Sequence, residues 1–143
     1  MRRALELAAE APHDGDVPVG AVLLSPDGSI VGEGRNTRER DRDPSGHAEV
    51  VALRDAAESL GTWRLDDCTL VVTLEPCAMC AGALVSARIK HLVFGAFDEK
   101  AGAVGSVWDL VRDRRLNHRP DVTSGILAEE STRLLREFFA KER

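Results

Sequence analysis

Long apolar runs are missing from this chain. None in its 143 residues approaches the roughly 20 that a membrane-spanning helix needs, so no such helix is expected. A secretory apolar segment is missing too: the N-terminus, MRRALELAAEAP, opens on a basic pair and soon reaches Glu6 and Glu10. A cytoplasmic location is therefore expected. Cysteine is scarce, and an odd count of 3 makes no disulfide framework, which leaves metal or catalytic roles in a reducing compartment. No internal repeat, linker, low-complexity segment or long basic tail interrupts or extends the pattern. What remains is 43% hydrophobic and 30% charged, neither disordered nor membrane-embedded. One domain over residues 1–143, long enough to bury a core, is the expectation.

Basic charge is also short, with a formal net charge of −5 and a pI near 5.4. A general nucleic-acid binder does not look like this. The balance is uneven, however: residues 1–99 carry 10 basic and 17 acidic side chains, residues 100–143 carry 9 and 7. Arg112, Arg114, Arg115 and Arg119 lie close together with His118 among them. That cluster reads either as a solvated face or as a local surface for phosphates.

Periodicity outlines the elements. Residues 2–11 read as a short helix, and residues 17–24 and 29–34 as strands around the turn Ser25-Pro26-Asp27-Gly28. From His47 to Leu60, Val50, Leu53, Ala57 and Leu60 recur at helical spacing until Gly61. Cys68–Leu74 reads as a buried strand, residues 76–88 as a helix and residues 91–96 as a strand. A glycine-bearing loop then leads to a helical stretch near Trp108. Residues 127–140 close the chain with Leu127, Leu134, Leu135, Phe138 and Phe139 on one face, read as core. An opening hairpin followed by helix–strand–helix–strand predicts an α/β fold with a mixed sheet covered by helices.

The stretch TLEPCAMC (73–80) sets two thiols three positions apart at the start of a helix, where both can face one ion. A helix N-terminus also favours the thiolate form. Such a pair reads as a redox couple, half of a structural zinc clip, or part of a catalytic metal site. Thirty positions before Cys77, Gly46-His47-Ala48-Glu49 opens the preceding helix. A helix and a strand between the two motifs let both helix starts meet at one end of the sheet. One imidazole and two thiolates make three zinc ligands and leave a fourth position for water. A structural clip would need a fourth protein ligand, and Cys68, His13, His91 and His118 stand at no familiar spacing. Bound zinc lowers the pKa of its water to about 7. A carboxylate that is not a ligand, here Glu49, suits the proton transfers that follow.

At these residues the chain resembles the zinc-dependent nucleobase and nucleoside deaminases, whose signature is His-x-Glu followed by Pro-Cys-x-x-Cys. Longer stretches, DVPVGAVL (16–23), GEGRN (32–36), HAEVVALR (47–54), TLEPCAMCAGAL (73–84), FGAFDEKAGAVGS (94–106) and LNHRP (116–120), resemble the tRNA-specific adenosine deaminases of bacteria. The resemblance implies a three-layer α/β/α cytidine deaminase-like fold, with a central mixed sheet of about five strands. It also implies a homodimer, one zinc ion per subunit, and conversion of a wobble adenosine in a tRNA anticodon stem-loop to inosine. His47, Cys77 and Cys80 would hold the metal and Glu49 would carry the proton. Asn36, Asp98, Lys100, Ser106, Asn117 and His118 match positions that meet the substrate. The chain departs from the pattern at Phe97, where the family carries a basic residue.

Two other readings stay open on the same residues. Deamination of a free base or nucleoside such as guanine, cytosine or cytidine uses the same metal chemistry. A zinc-stabilised binding module would keep the ligands and have no use for Glu49.

Overall fold

The computed structural model describes residues 1–142. Four helices and five strands follow one another as α1 (Arg2–Glu10), β1 (Gly20–Leu24), β2 (Ile30–Arg35), α2 (Ala48–Leu60), β3 (Thr69–Leu74), α3 (Ala78–Ser86), β4 (His91–Ala96), β5 (Asp121–Thr123) and α4 (Ala128–Lys141). The sheet runs β2-β1-β3-β4-β5. β1 is antiparallel to both neighbours, while β3, β4 and β5 are mutually parallel, so the sheet is mixed as the sequence predicts.

Period-two alternation sorts the strand side chains into two layers. Leu70 and Val72 of β3, with Leu92 and Phe94 of β4, pack with Ala52 and Leu53 of α2 and Leu84 of α3. Val22, Val71 and Val93 point the other way and meet Leu7 of α1. On that second face Ser131 of α4 donates its hydroxyl to the Thr73 carbonyl at 2.6 Å. These are the three layers of the α/β/α arrangement.

Two glycines set the height of α2 above the sheet. A Cβ on Gly34 would stand 2.5 Å from the Ala48 carbonyl oxygen, and one on Gly32 would stand 2.6 Å from that of Ala52. The GEG stretch therefore lets the helix backbone lie directly on β2, with Ala48, Val51, Ala52 and Ala56 facing it.

Three expectations need correction, and one strand gave no signal in the sequence. The first strand begins at Gly20 rather than at residue 17, because Pro18 brings no N–H to a ladder. No helix forms near Trp108: Gly105 at φ +124°, and a bridge between Val104 and Asp109, make a tight turn there. The edge strand β5 has only three residues and follows Pro120, too short for a periodic signal. The apolar spacing of α4 is real, but the face is not core. Ser131 is its only buried residue among those described, and Phe139 is 51% exposed.

Candidate active site

The N-termini of α2 and α3 meet beyond the C-terminal ends of β3 and β4. His47 is the N-cap of α2 and Cys77 the N-cap of α3, both in extended backbone, one residue earlier than a helical reading of the motifs puts them. Glu49 and Cys80 follow within the first turns. His47 is delivered by a turn in which Asp43 accepts from the Ser45 amide at 2.9 Å and from its hydroxyl at 2.8 Å.

Sγ of Cys77 and Sγ of Cys80 each lie 3.5 Å from Nδ1 of His47. All three atoms fall within 4.8 Å of one another. Zinc bonds of about 2.3 Å to sulfur and 2.0–2.1 Å to nitrogen, set at tetrahedral angles, predict a sulfur–nitrogen edge of roughly 3.6 Å. The donors therefore fit the ion in kind and in spacing. The other candidate ligands are engaged or distant: His91 pairs with the Thr123 hydroxyl at 2.8 Å, His118 with the Ile89 carbonyl at 2.6 Å, and Cys68 is buried in the core. Among the described residues no fourth protein ligand joins the cluster. An open three-ligand sphere is the catalytic kind, not the structural clip.

The groups of the ligand cluster are shifted in different directions. A hydrogen bond from the Cys80 thiol, with burial opposing and His47 assisting, holds the Cys77 thiol down to about 3. Cys80 is pushed up by giving that hydrogen bond and by its own burial. His47 is raised by its contact with Cys77. Glu49 is 4% exposed, and burial raises its carboxyl above the usual range.

Beside the cluster opens a cavity of about 190 Å³. Its volume leaves room for a planar base beside the ligand cluster. Val17, Val19 and Leu74 give it apolar sides, His47, Glu49 and Cys77 its reactive end, and Asn36, Arg38, Asp98 and Ala101 its mouth. Asn36 donates one amide hydrogen to the Val17 carbonyl at 3.3 Å and accepts from the Arg38 amide at 3.1 Å. Each end of its side chain retains one unused hydrogen-bonding site.

Both walls of the mouth are held by buried carboxylates that the sequence reading did not single out. Asp16 accepts from the amides of Glu39 and Arg40 at 2.7 and 3.1 Å. Glu75 receives four donors from the loop spanning residues 97–106. Burial opposes the ionised form of Glu75, but those hydrogen bonds outweigh it and keep its carboxyl below the usual value. The available signal was a charge directly after an apolar strand, inside the same TLEPCAMC stretch. Arg38 was missed because its surroundings, TRERDRD, read as an ordinary polar loop.

The remaining expected substrate positions divide. Asp98 lines the cavity, although its carboxylate also caps its own turn, accepting from the Lys100 and Ala101 amides. Lys100 is exposed on the same loop. The Ser106 hydroxyl is committed to Glu75. Asn117 and His118 do not join this site within one chain: they precede β5, whose first residue pairs with His91 at the start of β4, the end of the sheet away from the metal ligands. Arg112 and Arg115 of the basic cluster are paired with Asp109 and Asp113.

Comparison with known proteins meets this geometry. Residues 1–96 match the cytidine and deoxycytidylate deaminase zinc-binding region. The whole chain is 52% identical to the tRNA-specific adenosine deaminase of Haemophilus influenzae, of which it covers 83%. It is 56% identical to part of a much longer protein of Deinococcus radiodurans, described as a tRNA(Ile)-lysidine synthase, and spans 24% of that protein's length. A structure solved in a study of A-to-I editing by tRNA:A34 deaminases superposes with a TM-score of 0.91 at 42% identity, over 94% of this chain and 97% of that one. His47, Cys77 and Cys80 are thus positioned to bind one metal ion, and the chain belongs to the cytidine and deoxycytidylate deaminase family, within it to the tRNA-specific adenosine deaminases.

Proposed function

We propose that this chain, acting as one deaminase domain, converts the wobble adenosine of a tRNA anticodon to inosine, consuming one water and releasing ammonia. The observation that carries the reading is a base-sized cavity closed at one end by an open three-ligand cluster and the buried Glu49. A base swung out of its strand can enter it, and an anticodon loop offers one at little unstacking cost. The sugar and its phosphates stay at the mouth, where Arg38 and Lys100 are the nearby cations. A tRNA substrate supports a cytoplasmic location.

Asn36 orients the adenine with its remaining amide hydrogen and lone pair, and Val17, Val19 and Leu74 flank the ring. His47, Cys77 and Cys80 would hold zinc, which when bound would supply the Lewis acidity that makes a water nucleophilic at neutral pH. Glu49 removes a proton from the attacking water and delivers it to the departing amino nitrogen. Its burial suits a group that must hold a proton between the two events.

A second copy of the chain covers α3 in this reading. That helix is apolar nearly all round, yet Ala78, Met79 and Gly82 lie exposed. Grooves of about 370 and 550 Å³ run along its sides, lined by Leu53, Trp63 and Ala83 on one and by Val85, Leu110 and Leu116 on the other. Ultracentrifugation should give twice the 15.5 kDa chain mass.

The deciding experiment incubates the zinc-loaded protein with an anticodon stem-loop bearing a wobble adenosine and, in parallel, with adenosine, cytidine, cytosine and guanine. Inosine in the RNA alone is expected. Ammonia from a free base or nucleoside, with the RNA untouched, would replace the substrate and keep the chemistry.

A further inference from the structure

Glu75 leaves β3 immediately before Pro76 and Cys77 and is 2% exposed. Its Oε1 accepts the Asp98 amide at 3.0 Å and the Ser106 hydroxyl. Its Oε2 accepts the amides of Val104 and Ser106 at 2.9 and 3.1 Å. Four donors fill the roughly four lone-pair sites of a carboxylate. Nothing is left over for a substrate group or a transferable proton, so Glu75 does not act on the base itself. Gly102 completes the fit, because a Cβ there would collide with the same carboxyl group.

Besides Glu75, the loop is held by the Ala103 amide, which donates to the Pro76 carbonyl at 2.8 Å, and by Ala103 and Val104, which are buried in the core. Among the described residues, it belongs to no helix or named strand; isolated bridges join Gly102 to Cys77 and Val104 to Asp109. Yet it gives Asp98 and Ala101 to the cavity and exposes Lys100 beside them. The wall across the mouth is anchored independently, through Asp16. A carboxylate receiving several amide donors is a strong, directional anchor, and losing it leaves buried amides unpaired.

We propose that Glu75 is a positioning residue for RNA: by gripping the loop of residues 97–106 it sets the wall against which the strand flanking the reacting base lies. It therefore governs capture of the RNA more than the chemical step. This rests on the tRNA reading above.

Glu75→Gln tests it. Glutamine keeps the size, but its NH2 replaces one acceptor oxygen, and in either orientation a main-chain N–H then faces a donor. Zinc content should remain one per chain. Hydrogen exchange of peptides covering residues 97–106 should accelerate by about tenfold, while α2 and α3 peptides exchange as before. KM for the stem-loop should rise by roughly tenfold and kcat stay within about threefold, the signature of lost binding common to ground and transition states. Ser106→Ala removes a single donor and is the gentler companion if the first variant folds poorly; it should shift exchange and KM in the same direction by less. Unchanged exchange over residues 97–106 overturns the grip. A loosened loop with KM unchanged, or a loss confined to kcat, overturns its role in capturing RNA. Should the unsubstituted protein leave the stem-loop untouched, the tRNA reading fails and the RNA role with it, and the exchange data still decide whether Glu75 holds the loop.

Discussion

Glu49 and Glu75 are both carboxylates at the cavity, and the difference between them is what each side chain has left to give. Glu75 is saturated by loop donors, whereas Glu49 is buried in the first turn of α2 next to the metal ligands. Positioned proton transfer is worth about 10²–10⁴-fold in rate. Glu49→Gln should therefore lower kcat by at least about 10²-fold while retaining the zinc. Metal analysis and inosine formation on the same preparation check this; loss of metal together with activity would make Glu49 a support of the ligand cluster instead. His47, Glu49, Cys77 and Cys80 were legible in the sequence because their side-chain chemistry and local spacing survive in one dimension. Asn36 and Asp98 came through resemblance, and the cavity receives them. Asp16 and Glu75 were not legible, since their partners are backbone amides 23 to 31 positions away that no residue type announces.

At the scale of elements, the site depends on how deep α2 sits. Its N-terminus carries His47, and the helix rests on β2 only because Gly32 and Gly34 have no side chains. Gly34→Ala forces a methyl group to 2.5 Å from the Ala48 carbonyl, backbone that yields only by moving the helix. Overpacking of this kind costs about 1–3 kcal/mol. Urea unfolding should show that loss, and a chelator should strip zinc from the variant faster, because His47 moves with α2. A variant destabilised without faster zinc loss would separate the helix seat from the metal. The elements themselves were largely readable: alternation and helical spacing gave α2, β3, α3 and β4 within a few residues. The stretch from residue 97 to 120 was not, because hydrogen bonds to Glu75, tight turns and small residues hold it in place of any apolar period. In α4 the period was correct and the inference of burial was not, for the sheet covers only part of that face.

For the whole molecule the difficulty is charge, since a protein of net −5 must approach a polyanion. The answer has to be local. Arg112 and Arg115 spend their charge on Asp109 and Asp113, the latter held down to about 2 mainly by its hydrogen bonds from Arg115. Arg114 and Arg119 form no side-chain ion pair among the described residues, although Arg119 bonds the Arg114 carbonyl at 3.1 Å. Both lie on the segment that one chain keeps away from its own metal cluster, so they would meet RNA outside the reacting base, along the stem or, in the proposed dimer, from the other copy. Neither reading of the arginine cluster could be chosen from spacing alone, because the aspartates that quench half of it become neighbours only in the folded turn. Reversing Arg114 and Arg119 together to glutamate should weaken stem-loop binding and reduce the slope of log K against log salt by about 1.4, the loss of two phosphate contacts at roughly 0.7 each. Reversing Arg112 and Arg115 should change that slope by less, since their charge is already met. Equal slopes in all three proteins would assign the RNA electrostatics to the mouth of the cavity, at Arg38 and Lys100, and leave the cluster a solvated face.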